Sequence, residues 1–153
     1  MCATTDHASA FETLLEAEGP RAALGYLNGL TEFRYTGVFR FEREVLCVYY
    51  FDREQPAQSS IAAIPMAATY CSYVRRGNGV FTTADALLDP RLQDHAARRD
   101  VRAYCGVPVF DPAGAFLGTL CHFDNLPRDP RQIDLGLMQE VARCLGRGGR
   151  LPL

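Results

Sequence analysis

Three cysteines and a histidine carry the chemistry most easily named in this chain. Cys105 and Cys121 flank Asp111-Pro112-Ala113-Gly114 almost symmetrically, and His122 follows Cys121 directly. Pro presets φ for the first central turn position and Gly accepts positive φ at its end. The runs on either side, Tyr104 to Phe110 and Phe116 to Phe123, therefore read as an antiparallel hairpin. That turn sets Cys105 and Cys121 opposite or nearly opposite on adjacent strands, with Cβ atoms about 5 Å apart. Cys71 belongs to a helical stretch that crosses the sheet and can approach them. Three thiols so gathered suit redox sensing, metal binding or sulfur chemistry, but a core of small packed hydrophobes is the reading favoured. His122 could ligate haem or a metal by type, yet His95 stands in a polar loop and His7 near the N-terminus, so no second histidine lies beside it in sequence.

The other candidates are loop charges and aromatics. Asp85, Asp89 and Arg91 either form a salt bridge and a cap, with Asp89 capping a turn into Pro90, or touch a ligand directly. Tyr49, Tyr70, Tyr73, Phe81 and Tyr104 either line a pocket or fill a core. The chain contains no nucleophile elbow, Gly-rich phosphate loop or H-E-x-x-H. All sixteen basic residues are arginine, so lysine Schiff-base chemistry is excluded. No catalytic residue, metal site or cofactor is legible, and none is expected.

These residues need a scaffold, and composition bounds it. A length of 153 residues suits one domain, and 48% hydrophobic residues suit an ordinary globular core. A net charge of −2, spread along the chain, gives no reason to expect nucleic acid or an anionic membrane as partner. No apolar run is long enough to span a bilayer, and Met1 to Glu18 lacks the basic start and apolar stretch of a signal peptide. A cytoplasmic protein with reduced cysteines is expected. Of the six, Cys47, Cys105, Cys121 and Cys144 sit in apolar runs and should be buried, leaving Cys2 and Cys71 as the readily reactive ones.

The elements follow in order. Thr4 to Asp6 offer N-caps for a helix through Leu15, and Pro20 opens a second helix with Ala23, Leu24, Leu27 and Leu30 as its stripe. Phe33 to Phe41 and Val45 to Phe51 read as strands around the turn Glu42-Arg43-Glu44. Ile61 to Val74 can hold a helix opening at Pro65, with Ala68, Cys71 and Val74 on one face. Val80 to Thr83 is a short strand, Asp85 to Asp100 is irregular or short-helical, and the hairpin follows. Asp129 caps a last helix with Pro130 at its first position and Ile133, Leu137, Val141 and Leu145 as its stripe. The segment from residue 147 to 153 is expected to be frayed. The order predicts an α/β (α+β) domain with a central antiparallel sheet of five to six strands, terminal helices on one face and a crossing segment on the other.

Tyr104-x-Gly106-x-Pro108-Val109, then Asp111-x-x-Gly114, then Leu117-Gly118-x-Leu120-Cys121-x-Phe123-Asp124 resembles the closing hairpin of a GAF domain. Asp85 followed by Asp89-Pro90-Arg91 resembles a second stretch of that family, and the resemblance covers roughly residues 25 to 145. It implies a single GAF-type domain that senses a small molecule between sheet and crossing segment. Tyr49, Tyr70, Cys71, Phe81, Asp85, Arg91, Tyr104, Cys105 and Cys121 are the candidate pocket. The output would pass to a signalling partner protein or through a homodimer built on the terminal helices. One alternative is a thiol-dependent enzyme resembling the free methionine-(R)-sulfoxide reductases. Their cysteine patterns are absent, however: Phe81 stands where the first cysteine would be. Another is an interaction module with a filled core. Some GAF photoreceptors attach a bilin through a Cys-His pair in a polar helical stretch; Cys121-His122 lies mid-strand.

Overall fold

The computed structural model describes residues 3–41, 45–55, 70–76 and 79–147. The chain forms helices α1 (Ala3–Glu18) and α2 (Pro20–Asn28), strands β1 (Tyr35–Phe41) and β2 (Val45–Asp52), helix α3 (Cys71–Arg76), strand β3 (Phe81–Thr83), strands β4 (Ala103–Phe110) and β5 (Phe116–Asp124), and helix α4 (Leu135–Gly146). One-turn 3-10 helices stand at Pro90–Leu92, Ala96–Arg99 and Pro130–Gln132. The five strands make one sheet in the order β2-β1-β5-β4-β3, with every neighbouring pair antiparallel. The expected turn at residues 42 to 44, the helix start at Pro65 and the tail from residue 148 lie outside the described residues.

β5 is central and paired on both sides, so it needs apolar side chains on both faces, and it has them. Leu120 joins the core under the helices, while Cys121 and Phe123 join the core on the other face. The first core holds Phe11, Leu24, Leu27, Val38, Val107, Met138 and Val141, drawn from α1, α2, α4 and one sheet face. The second holds Phe39, Tyr70, Cys71, Val74, Phe81, Leu92, Tyr104 and Phe123, under α3 and the loop from β3 to β4.

Two irregularities decide which residue faces which core. Phe110 pairs with Phe116, but Val109 pairs with Gly118, so Leu117 is an extra residue in β5. Without it Cys105 would oppose Cys121. With it Cys105 opposes His122, and Gly106 opposes Cys121. A shift of one residue sends a side chain through the sheet, so the two cysteines face opposite cores. The expected pairing is thereby corrected. In β2, Val38 pairs with Tyr49 and Phe39 with Cys47, leaving Val48 extra. Tyr49 consequently packs against the helix-side core, away from Tyr70 and Phe81.

The helices differ from expectation at their ends. α1 begins at Ala3, so Thr4 to Asp6 lie inside it. Leu30 lies past α2 and is 41% exposed. Asp129 caps only the 3-10 turn; Ile133 is extended and Asp134 then caps α4 by accepting from Leu137 N–H. Two carboxylate caps five residues apart split one expected helix into a turn and a helix.

A buried polar relay joins β2, α2, β1 and β5. Arg53 can only donate, and its Nε–H donates to Asn28 Oδ1 at 2.9 Å. That fixes the amide orientation: Asn28 Nδ2 donates to the Phe33 carbonyl at 2.9 Å and to Thr36 Oγ1 at 3.0 Å. Thr36 has one hydroxyl proton, and its Oγ1 lies 2.6 Å from His122 Nδ1. The relay is satisfied when that proton goes to Nδ1 of a neutral His122.

Two expected outcomes test this fold. Gly118 lies so close to the Phe39 carbonyl that any Cβ would overlap it. Gly118→Ala should therefore cost about 3 kcal/mol in urea denaturation, whereas Gly114→Ala, in a turn with φ +89 and open space, should cost about 1 kcal/mol. Equal midpoints would refute the β1–β5 register. His122 supplies the second. Burial, then the Arg53 charge, lowers its pKa to about 3, against about 6.5 in an unfolded chain. Between those values the unfolded chain binds a proton that the fold refuses. Stability is full above the unfolded value and falls with pH below it, by up to about 1.4 kcal/mol per pH unit. His122→Gln should flatten the slope between pH 6.5 and 5 in chemical denaturation series.

Candidate functional site

The second sheet face gathers most of the candidate residues. Cys71 begins α3 with its thiol against the sheet, 2.9 Å from Thr119 Oγ1 and 3.4 Å from the Tyr104 hydroxyl. Cys121 donates to the Gly37 carbonyl at 3.7 Å on the same face. All four side chains are buried. Burial pushes the Cys71 thiol up, but hydrogen bonds to Cys121, Thr119 and Tyr104 outweigh it and bring Cys71 below an ordinary cysteine. Burial raises Cys121 and Tyr104. Within this cluster Cys71 is therefore the first thiol to lose its proton.

Gly106 leaves room beside this cluster, and Tyr104 uses it. A Cβ at Gly106 would overlap the Tyr104 ring. The absent side chain marks close packing at that point, as Gly118 marks a close backbone approach.

Aromatic rings surround the thiols. Tyr70 donates to the Val101 carbonyl at 3.0 Å and meets Tyr104 edge-on at 5.5 Å between centroids. Tyr73 stacks on Phe81 at 4.9 Å, and His95 meets Tyr70 edge-on at 4.8 Å. Arg91 lies over the outer side of Phe81 at 4.6 Å, held by both Asp89 oxygens and the Thr82 carbonyl. Asp89 also caps the turn at Pro90; its hydrogen bond from Arg91 lowers its pKa to about 2. Asp85 is engaged by Arg102 at 2.7 and 2.8 Å, which lowers its pKa and ties the loop to the start of β4.

Of the nine candidates, Tyr70, Cys71, Phe81, Tyr104 and Cys121 come together in one core. Arg91 reaches it from the rim through Phe81, and Asp85 serves the loop beside it. Tyr49 and Cys105 lie beyond the sheet, where Cys105 donates to Met138 Sδ at 3.7 Å. Thr119 and His95 complete the cluster and were missed. Thr119 shares a face with Cys121 by strand periodicity; His95 reaches Tyr70 only through the fold of a loop, which spacing does not encode. Among the described residues no group of three or more His, Cys, Asp or Glu side chains could hold a metal. A wider groove of ≈ 1060 Å³ opens beyond Val74, between α3, the hairpin and the end of α4, with Arg75, Arg143, Arg147, Phe110 and Phe116 on its walls.

Thiol reactivity checks the cluster. Cys71, expected to be accessible, is fully buried with Cys105 and Cys121, and burial raises Cys47 and Cys105 to about 12. A chromogenic disulfide reagent should leave Cys71, Cys105 and Cys121 unmodified in the native protein and reach them only in denaturant. Rapid native labelling of Cys71, read by peptide mass spectrometry, would refute its place beneath α3.

The GAF domain family profile matches residues 9–147. A cyclic di-GMP phosphodiesterase of Pseudomonas aeruginosa is 37% identical over 89 residues, which is 56% of this chain but only 15% of that protein. The fold superimposes on a far-red absorbing protein in its dark state with bound biliverdin at a TM-score of 0.66 and 13% identity, covering 92% of this chain and 95% of that one. It also superimposes on a free methionine-R-sulfoxide reductase of Neisseria meningitidis at a TM-score of 0.59 and 17% identity, covering 94% and 86%. At such identities the likeness is one of fold. Profile, topology and the hairpin sequence agree: the chain belongs to the GAF domain family.

Proposed function

We propose that this GAF domain is a sensory module that binds a small molecule on the sheet face under α3 and does no chemistry on it. The observation that carries this reading is the aromatic and thiol cluster itself. Tyr73 and His95 form a rim that is partly open beside the buried Phe81, edged by the cations of Arg76 over Tyr73 and Arg91 over Phe81, above the hydrogen-bonding floor of Cys71, Tyr104 and Thr119. Such a surface favours a flat, moderately polar ligand. The relative among cyclic di-GMP phosphodiesterases supports a signalling context. Output would pass through a partner protein or through a homodimer formed by the terminal helices, in the cytoplasm. No described helix is long and apolar enough to cross a membrane. The second reading, a thiol-dependent reductase, is favoured by Cys71 standing beside Cys121 with a lowered pKa.

A thermal-shift screen of metabolites tests the main reading. A ligand at 100 times its Kd adds about 2.7 kcal/mol of stability. Tyr70 is buried and would damage the fold if truncated; Tyr73→Ala, at the half-buried rim, should remove the shift and leave the protein folded. Turnover of methionine sulfoxide that disappears in Cys121→Ser would establish the reductase instead. Light scattering giving a monomer mass at tens of micromolar would refute the dimer.

A further inference from the structure

The wide groove between α3, the hairpin and the end of α4 has no part in the sensory reading. Val80, Pro108, Phe110 and Phe116 give its ≈ 1060 Å³ apolar walls, and Phe110 is 47% exposed. Three guanidiniums border them: Arg75 from α3, Arg143 from α4 and Arg147 just past it. Gln139 and Asp111 complete the polar lining, and Asp111 Oδ1 accepts from Ala115 N–H at 2.8 Å within the turn. Arg143 pairs with Glu140 and Arg147 with Glu12. Those pairs are exposed, and such pairs are worth little, so an arriving carboxylate can share them. Arg75 has no carboxylate partner among the described residues. Its guanidinium lies 5.8 Å from the centre of the Phe116 ring and 5.9 Å from that of Phe41. Phe116 meets Phe41 edge-on at 5.2 Å and Phe110 at 6.0 Å. A guanidinium over aromatic faces keeps its N–H donors free at its edge.

A free guanidinium beside exposed rings is complementary to a carboxylate next to an apolar or aromatic side chain. A small molecule is a poor occupant, because small-molecule sites bury most of their ligand and this groove leaves Phe110 in solvent. An added strand is disfavoured too: β3 covers β4 only as far as Gly106, and Pro108 beyond it has no N–H to offer. A second copy of the chain fits no better. Its exposed Leu87-Leu88 stands between two aspartates, but Asp85 is held by Arg102 and Asp89 by Arg91. A loop-to-groove contact between copies is also heterologous, not the self-complementary kind that closes a dimer. We infer that the groove is a docking site for an acidic segment of a partner protein. An aromatic or leucine side chain lies against Phe110 and Phe116, and a flanking carboxylate meets Arg75. The inference stands whether or not the aromatic face binds a ligand.

The experiment uses the intact chain labelled with nitrogen-15 and an end-capped peptide E-D-F-E-E-L-D, titrated by amide NMR. The expected result is a saturable shift of the Val80, Phe110 and Phe116 amides that weakens as salt is raised. The peptide with lysine at every acidic position should give no shift. With alanine for phenylalanine and leucine it should bind at least about tenfold more weakly, a difference of about 1.4 kcal/mol. Arg75→Glu should weaken binding by at least the same factor, and Arg75→Lys, which keeps the charge and loses the planar fork, by less. Arg75 and Phe110 are exposed, so these variants keep the fold, and Phe110→Ser tests the apolar wall separately by the same loss. Tyr73→Ala should leave binding unchanged, which separates this site from the aromatic face. Binding that tolerates Arg75→Glu or Phe110→Ser, or a lysine or alanine peptide that binds as tightly, would overturn the inference. So would phenylacetate saturating the same amides as tightly as the peptide, which makes the groove a small-anion site, or shifts that follow protein concentration without peptide, which make it a contact between copies. Loss of binding in Tyr73→Ala, or no saturable shift at millimolar peptide, would overturn it as well.

Discussion

The structure depends on the register of β5. This strand is paired on both sides and covered on both faces, so every side chain on it enters one core or the other. The extra residue Leu117 sets the phase. Downstream of it, Thr119, Cys121 and Phe123 meet α3 and the aromatic cluster, while Leu120 and His122 meet the helices. A slip of one residue would exchange the two sets, placing an imidazole among the tyrosines and a thiol against α2. Gly118, next to the bulge, is where β1 passes too close for any side chain. Bulge and glycine act as one device that fixes the register.

Ion pairs at the strand ends reinforce that phase. Asp124, at the end of β5 and 2% exposed, accepts from the Arg34 backbone N–H at 2.9 Å and from Arg128 Nε–H at 2.8 Å. Arg34 in turn grips Asp52 of β2 with two bonds of 2.9 Å. Three strand ends are thereby joined in chain order β1, β2 and β5, and Asp85 with Arg102 does the same for the start of β4. Partly buried bidentate pairs of this kind contribute geometry more dependably than stability.

Much of this was legible in the sequence, for physical reasons. The hairpin announced itself because proline and glycine restrict a turn and β5 is apolar on both faces. The stripes of α2 and α4 followed from helical periodicity, and Asp89 before Pro90 could be read as a cap. What the sequence hid were shifts of single residues. Neither Leu117 nor Val48 differs in type from an ordinary strand residue, yet each sends the residues beyond it to the other face. Cys105 and Tyr49 were misplaced for that reason alone. Asp134 was passed over because Asp129-Pro130 gave the stronger start signal. His95 and the relay through Asn28 depend on contacts between distant segments, which no local pattern carries.

Adjacent residues of one strand thus serve opposite faces with different chemistry. Cys121 stands on a face where polar atoms pair with one another: thiol, phenol and hydroxyl meet under aromatic rings. His122 stands on a face where a polar relay runs from the Arg53 cation, which can only donate, through Asn28 and Thr36 to a buried imidazole. The first arrangement closes on itself, so whatever binds there must work from its aromatic rim. The second ends at His122, in the wall of a cavity between α2 and α4. The same pleat that gives β5 its two cores gives the domain two surfaces of contrasting polarity, separated by the thickness of one strand.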